Sequence, residues 1–113
     1  MSVAHHQRKS ERAPFRGTVA LCRQRTPRLV ATENIGTDGI FLRVDEQLTE
    51  RSLVTLRINV PGETGFTVMG RVIHRDDELS GVGVEFLDIL PRDRARIHAY
   101  LTRARNSDVE RAG

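Results

Sequence analysis

The sequence predicts an all-β fold, a small six-stranded antiparallel β barrel with a C-terminal α helix. Three observations carry that expectation. Six short apolar runs are separated by polar segments rich in Gly, Pro, Asn and Asp. The connections leave no room for crossover helices, which argues against a parallel α/β sheet. After Phe86 the apolar period changes from that of a strand to that of a helix.

Residues 1–15 are polar, with Pro14 near their end, and read as a flexible arginine-rich arm. Thr18–Cys22 (TVALC) is the first expected strand, and the RQRTPR segment at 23–28 has turn chemistry around Pro27. Leu29–Ile35 forms the second strand, GTDG at 36–39 a turn, and Ile40–Val44 the third strand. After the charged DEQLTER segment comes the clearest strand, Ser52–Val60. Its Val54, Leu56, Ile58 and Val60 alternate with Thr55, Arg57 and Asn59, the period-2 pattern of one buried face. PGETG at 61–65 turns the chain into Phe66–His74, where Phe66, Val68, Gly70 and Val72 share the inner face. A polar loop, RDDELSG, leads to Val82–Phe86, with Val82, Val84 and Phe86 on one side. Pro91 then opens a helix, since its missing N–H is not needed in the first turn. Asp93 suits the positive end of the helix dipole, and Ile97, Tyr100, Leu101 and Ala104 form one apolar stripe. The expected domain runs over 16–105, followed by a disordered tail at 106–113. An antiparallel sheet has to protect its edges, and closure into a barrel does so. The helix stripe can pack on its own barrel or on a second subunit, so monomer and homodimer both stay open.

The 113 residues suffice for one modest core. With 38% hydrophobic and 29% charged residues, the chain reads as globular rather than disordered. No apolar run reaches membrane-spanning length, so no membrane insertion is expected, and the polar N-terminus offers no secretory signal. Both point to a cytoplasmic location. Cys22 has no second cysteine to pair with and reads as a half-buried bystander. The net charge is +3, but its placement is uneven. Arg8, Lys9, Arg12, Arg16, Arg23, Arg25 and Arg28 face only Glu11 in the first 28 residues, leaving the rest acidic on balance. Every basic residue except Lys9 is an arginine. A guanidinium offers a planar fork of donors that fits phosphate and the O6/N7 edge of guanine and can stack on a base. Coding bias accounts for much of the Arg-to-Lys ratio, but not for the scarcity of acids in the arm.

Catalytic and metal constellations are not expected. His5 and His6 lie in the arm, His74 ends a strand and His98 sits in the helix, with no HExxH spacing. There is no nucleophile elbow and no phosphate-binding Gly-rich loop of the P-loop or dinucleotide type. Asp76, Asp77 and Glu78 read as a solvated loop. The chain is therefore expected to be a binding protein without catalytic residues, metal or cofactor.

Two segments remain. Arg8-Lys9-Ser10-Glu11-Arg12, with Arg16 following, can converge on a polyanion. Asn34-Ile35-Gly36-Thr37-Asp38-Gly39 ends a strand with an amide side chain and two glycines that allow close ligand approach. In that order, the two segments resemble the hallmark of the PilZ domain family, an RxxxR followed by (D/N)xSxxG. Arg8 and Arg12 match the arginines, Asn34 the Asp/Asn position and Gly39 the final glycine. GRVIH at 70–74 and GVGVEF at 81–86 look like the family's late strands, and the resemblance covers about 8–104.

The resemblance implies binding of cyclic di-GMP, a bacterial second messenger with two guanines and two phosphates. Arg8 and Arg12 would embrace the ligand with Lys9 beside them, Asn34 would face a guanine, and Gly39 would keep the turn low. Arg16 is added as an electrostatic helper at the rim. Ordering of the arm over the barrel would relay binding to a protein partner, and the family's roles include motility and pilus control. Gly36 stands where the motif has serine, which removes a hydroxyl worth roughly 0.5–1.5 kcal/mol. That departure motivates an alternative, an adaptor acting by protein contact without nucleotide. A small β-barrel nucleic-acid binder is a third and weaker reading, since stacking platforms are scarce. Phe41, Phe66 and Phe86 fit core positions, Tyr100 fits the helix stripe, and only Phe15 looks free to meet a base.

Overall fold

The computed structural model describes residues 11–22, 26–44 and 48–112. Seven strands precede one helix: β1 (Arg12–Pro14), β2 (Thr18–Cys22), β3 (Arg28–Gly36), β4 (Gly39–Arg43), β5 (Leu53–Asn59), β6 (Phe66–Asp76), β7 (Gly81–Leu87) and α1 (Pro91–Ala112). The sheet runs β1-β3-β2-β5-β6-β7-β4, and a further β3–β4 pairing closes it. Six strands thus form the barrel and all pairings are antiparallel, as the turn-rich sequence implies.

The seventh strand is the departure. Arg12–Pro14, read from sequence as the end of the arm, pairs with β3 in the register Arg12↔Gly36, Ala13↔Ile35 and Pro14↔Asn34. β2 continues along the same edge of β3, with Val19 opposite Val30. One more residue separates Pro14 from Val19 than separates Val30 from Asn34, so the chain kinks at Phe15–Gly17. Pro14 is tolerated because it sits at an outer strand, where its missing N–H breaks no interior ladder.

The core lies inside the barrel. Val54, Leu56, Ile58 and Val60 point inward from β5 and its end, as do Phe66, Val68 and Val72 from β6. Val82 and Val84 join them from β7, with Phe86 half-buried at their edge. Ile97, Tyr100 and Leu101 on α1 complete the same cluster, and α1 lies against β1 and β3. The helix stripe is therefore spent on its own barrel. Near its start, buried Asp93 accepts from Arg96 at 2.7 Å, an ion pair within the first turns. The helix runs to Ala112, past the expected end at 105. The sequence beyond Arg105 contains no Pro, and no Gly before Gly113, so nothing in it stops the helix earlier.

Two aromatic positions differ from expectation. Phe15 is a core residue, 7% exposed, meeting Tyr100 edge-on with ring centroids 5.4 Å apart. The kink after β1 turns it inward, a register detail that polarity patterns do not show. Phe41 is buried too, but between inward-facing Ile40 and Leu42 it occupies the opposite face of β4. There it lies over Gly81 beside His74, ring centroids 6.3 Å apart.

Candidate functional site

β1 and the β3–β4 turn bring four of the seven sequence-predicted site residues together. Arg12 Nη1 donates to Asn34 Oδ1 at 2.9 Å, and Arg12 Nη2 lies 3.7 Å from Asp38 Oδ1. The Arg12 side chain is 13% exposed, so its head is held between the two acceptors at the surface of the barrel.

Two glycines form the bed for that arginine. A Cβ on Gly36 would stand 2.7 Å from the Glu11 carbonyl oxygen and 3.1 Å from Arg12 Cγ. A Cβ on Gly39 would stand 2.9 Å from Arg12 Nη2 and 2.5 Å from the Val84 carbonyl oxygen. Neither position accepts a side chain without displacing β1 or β7. The Arg12 chain therefore crosses Gly36 and ends over Gly39. Gly36, which breaks the serine pattern, is explained by this packing: its bare backbone is what lets Arg12 lie down.

The turn between the strands is held from two sides. The Phe86 backbone N–H donates to the Asp38 carbonyl at 2.9 Å, and Arg94 Nη1 donates to the Thr37 carbonyl at 3.3 Å. β1 is held by α1. Tyr100 Oη donates to the Pro14 carbonyl at 2.7 Å and accepts from the Arg16 N–H at 3.1 Å. Arg105 pairs with Glu11 at 3.1 Å, and Thr32 Oγ1 donates to the Phe15 carbonyl at 3.4 Å. The Tyr100 and Thr32 bonds satisfy backbone groups around the kink, where the ladder to β3 is interrupted.

Of the predicted site residues, Arg12, Asn34, Gly36 and Gly39 are thus adjacent. Arg16 is exposed and sits at the kink, where its backbone N–H engages Tyr100. Arg8 and Lys9 lie outside the described residues. Asp38, Arg94 and Tyr100 were not assigned to the site by sequence. A buried tyrosine needs a partner for its hydroxyl, and that was the one available signal for Tyr100. Nothing in the sequence ties Arg94 to a turn 57 residues away.

Chemically, the arrangement offers one guanidinium and one amide on a flat glycine surface, with an acid beside them. It can present charged and neutral donors to an anion and an amide edge to a base. Among the described residues no group of three His, Cys, Asp or Glu side chains could hold a metal ion. No described helix is long and apolar enough to cross a membrane.

No curated protein matches the chain by sequence. Solved structures do match by fold. The inhibitor of motility MotI/DgrA from Bacillus subtilis superposes with a TM-score of 0.75 at 17% identity, over 88% of this chain and 52% of that one. YcgR from Escherichia coli in complex with c-di-GMP gives 0.78 at 12% identity, over 94% and 49% of the two chains. The PilZ domain of YcgR with c-di-GMP gives 0.69 at 11% identity, over 94% and 97%. The chain spans about half the length of MotI/DgrA and YcgR and nearly all of the isolated PilZ domain. The PilZ domain model matches residues 6–103, from the arm through most of α1, and with the closed barrel and the arginine on its glycine bed this establishes that the chain belongs to the PilZ domain family.

Proposed function

We propose that this chain is a receptor for cyclic di-GMP that signals to a protein partner through the ordering of its N-terminal arm. The PilZ domain is a non-catalytic receptor and adaptor module, and two of the similar structures are complexes with c-di-GMP. The observation that carries the reading to this chain is the juxtaposition of Arg12, Asn34, Gly36 and Gly39, from two segments far apart in sequence. Arg12 would exchange its contacts to Asn34 and Asp38 for phosphate oxygens or a guanine O6/N7 edge, a trade of charge-assisted bonds. Asn34, released from Arg12, would present its amide to the other base. Arg8 and Lys9 would add cations from the arm, and Arg16 would raise the potential at the rim.

Isothermal calorimetry with cyclic di-GMP and the full chain tests this. Saturable heat with a dissociation constant in the micromolar range or tighter is expected. No heat at about 100 μM ligand, on the order of −5.5 kcal/mol of affinity, defeats it as a physiological receptor. The adaptor alternative keeps one specific observation in its favour: Asp38 already supplies Arg12 with an anion. Capture of a protein partner by a chain that gives no calorimetric heat would select that alternative.

A further inference from the structure

The helix α1 reaches both halves of the candidate clamp. Arg94, in its first turn, donates to Thr37 within the Gly36–Gly39 turn. Tyr100, two turns on, bonds to the carbonyl of Pro14, where β1 ends, and to the N–H of Arg16 within the kink. Arg105 pairs with Glu11, the residue before Arg12. Thr37 is next to Gly36, Pro14 lies two positions from Arg12, and Glu11 is the neighbour of Arg12. No ligand chemistry of Arg94 or Tyr100 is needed for this; their partners are backbone carbonyls and an amide.

Building on the nucleotide-receptor reading, we infer that α1 is part of the receptor's mechanics, with Tyr100 and Arg94 as positioning residues. Tyr100 fixes β1 so that Arg12 lies across Gly36, and Arg94 fixes the turn that carries Gly36 and Gly39. The physical argument rests on the shortness of β1. A strand of three residues has too few ladder bonds to hold itself in place. Its position is set by what it touches, and Tyr100 supplies two hydrogen bonds at the point where the ladder to β3 fails. The ring of Tyr100 is itself fixed by Phe15 and the core, so the hydroxyl is a rigid anchor. A ligand that draws Arg12 toward its phosphates pulls on Pro14, two residues away, and so on Tyr100. Occupancy is thereby passed to α1, the helix that continues to Ala112.

The composition supplies a clean probe. The chain contains one tyrosine and no tryptophan, so in protein made with ring-13C tyrosine every tyrosine signal comes from Tyr100. Cyclic di-GMP is titrated into the full chain by calorimetry and by NMR in parallel, with wild type, Tyr100→Phe and Arg94→Ala. Tyr100→Phe keeps the ring on Phe15 and removes both hydrogen bonds. Its affinity is expected to fall about 5-fold and that of Arg94→Ala about 3-fold, as the binding-competent arrangement becomes less populated. The Tyr100 ring signals of wild type are expected to shift with the same saturation curve as the heat. A purely structural tyrosine would lower the melting temperature without following ligand occupancy. Binding heat with unmoved Tyr100 signals, or unchanged affinity in both variants, overturns this inference and leaves the receptor reading intact. Absence of heat in wild type overturns the receptor reading, and this inference with it.

Discussion

Arg12 and Asn34 stand 22 positions apart in the chain and are joined by a hydrogen bond, Nη1 to Oδ1 at 2.9 Å. Each holds the other in the pose that a ligand would have to break. Arg12→Ala removes the one described cation whose head lies on the glycine bed. A lost charge-assisted bond is worth about 1.5–3 kcal/mol, so affinity for cyclic di-GMP should fall about 10- to 100-fold. Arg12→Lys should recover only part, because an ammonium cannot present the planar fork. Calorimetry on both variants checks this, and unchanged affinity in Arg12→Ala removes Arg12 from the site.

Restoring the motif serine should not repair the site. Sequence alone suggests that Gly36→Ser returns a missing hydroxyl and tightens binding. The structure reverses that expectation, because the new Cβ would meet the Glu11 carbonyl at 2.7 Å and Arg12 Cγ at 3.1 Å. β1 would have to move off β3 and take Arg12 with it. Overpacking of this kind costs roughly 1–3 kcal/mol. Gly36→Ser is therefore expected to melt several degrees lower than wild type and to bind no more tightly. Tighter binding at unchanged stability would show that β1 yields easily at this point.

What could be read from the sequence, and what could not, divides along a physical line. The barrel was legible because period-2 alternation in Val54–Val60 and Phe66–Val72 reports directly on which face is buried. The turn that carries Gly36 and Gly39 at the end of β3 was legible because glycines beside Asn and Asp mark a strand end. β1 was not, since three residues with a proline carry no alternation to detect. Its existence depends on partners in β3 and α1 that are distant in the chain. The burial of Phe15 is hidden from the sequence for the same reason: it follows from the kink at residues 15–17, which is set by tertiary register. Helix length was underestimated because an apolar stripe marks where a helix packs and is silent on where it ends.

Asp38 should act as a competitor of the ligand. Its carboxylate lies 3.7 Å from Arg12 Nη2 and is about half exposed, so the pair contributes well under about 1 kcal/mol to stability. Asp38→Asn keeps the size and removes the charge. Its melting temperature should stay within a degree or two of wild type. Its affinity for a doubly anionic nucleotide should rise a few-fold, and more at low salt, where repulsion is least screened. Titrations at two ionic strengths check this. A loss of affinity in Asp38→Asn would instead assign the carboxylate a direct role in holding a base.

Phe15 provides a test of the nucleic-acid alternative as well as of the fold. As a stacking platform it would be exposed and dispensable for stability. In the structure it is 7% exposed, packed edge-on against Tyr100, and its carbonyl accepts from Thr32. Phe15→Ala would open a cavity between β1 and α1, at a cost of about 3–5 kcal/mol. That is a large share of the 5–15 kcal/mol that typically stabilises a domain. Phe15→Leu, closer in volume, should lose only about 1–1.5 kcal/mol. Denaturant melts of the two variants are expected to fall in that order. Binding of single-stranded oligonucleotides should be weak in wild type and equally weak in Phe15→Leu. If Phe15→Leu were as stable as wild type yet lost a salt-sensitive oligonucleotide affinity, the aromatic ring would be a contact for a base and its place in the core would be wrong.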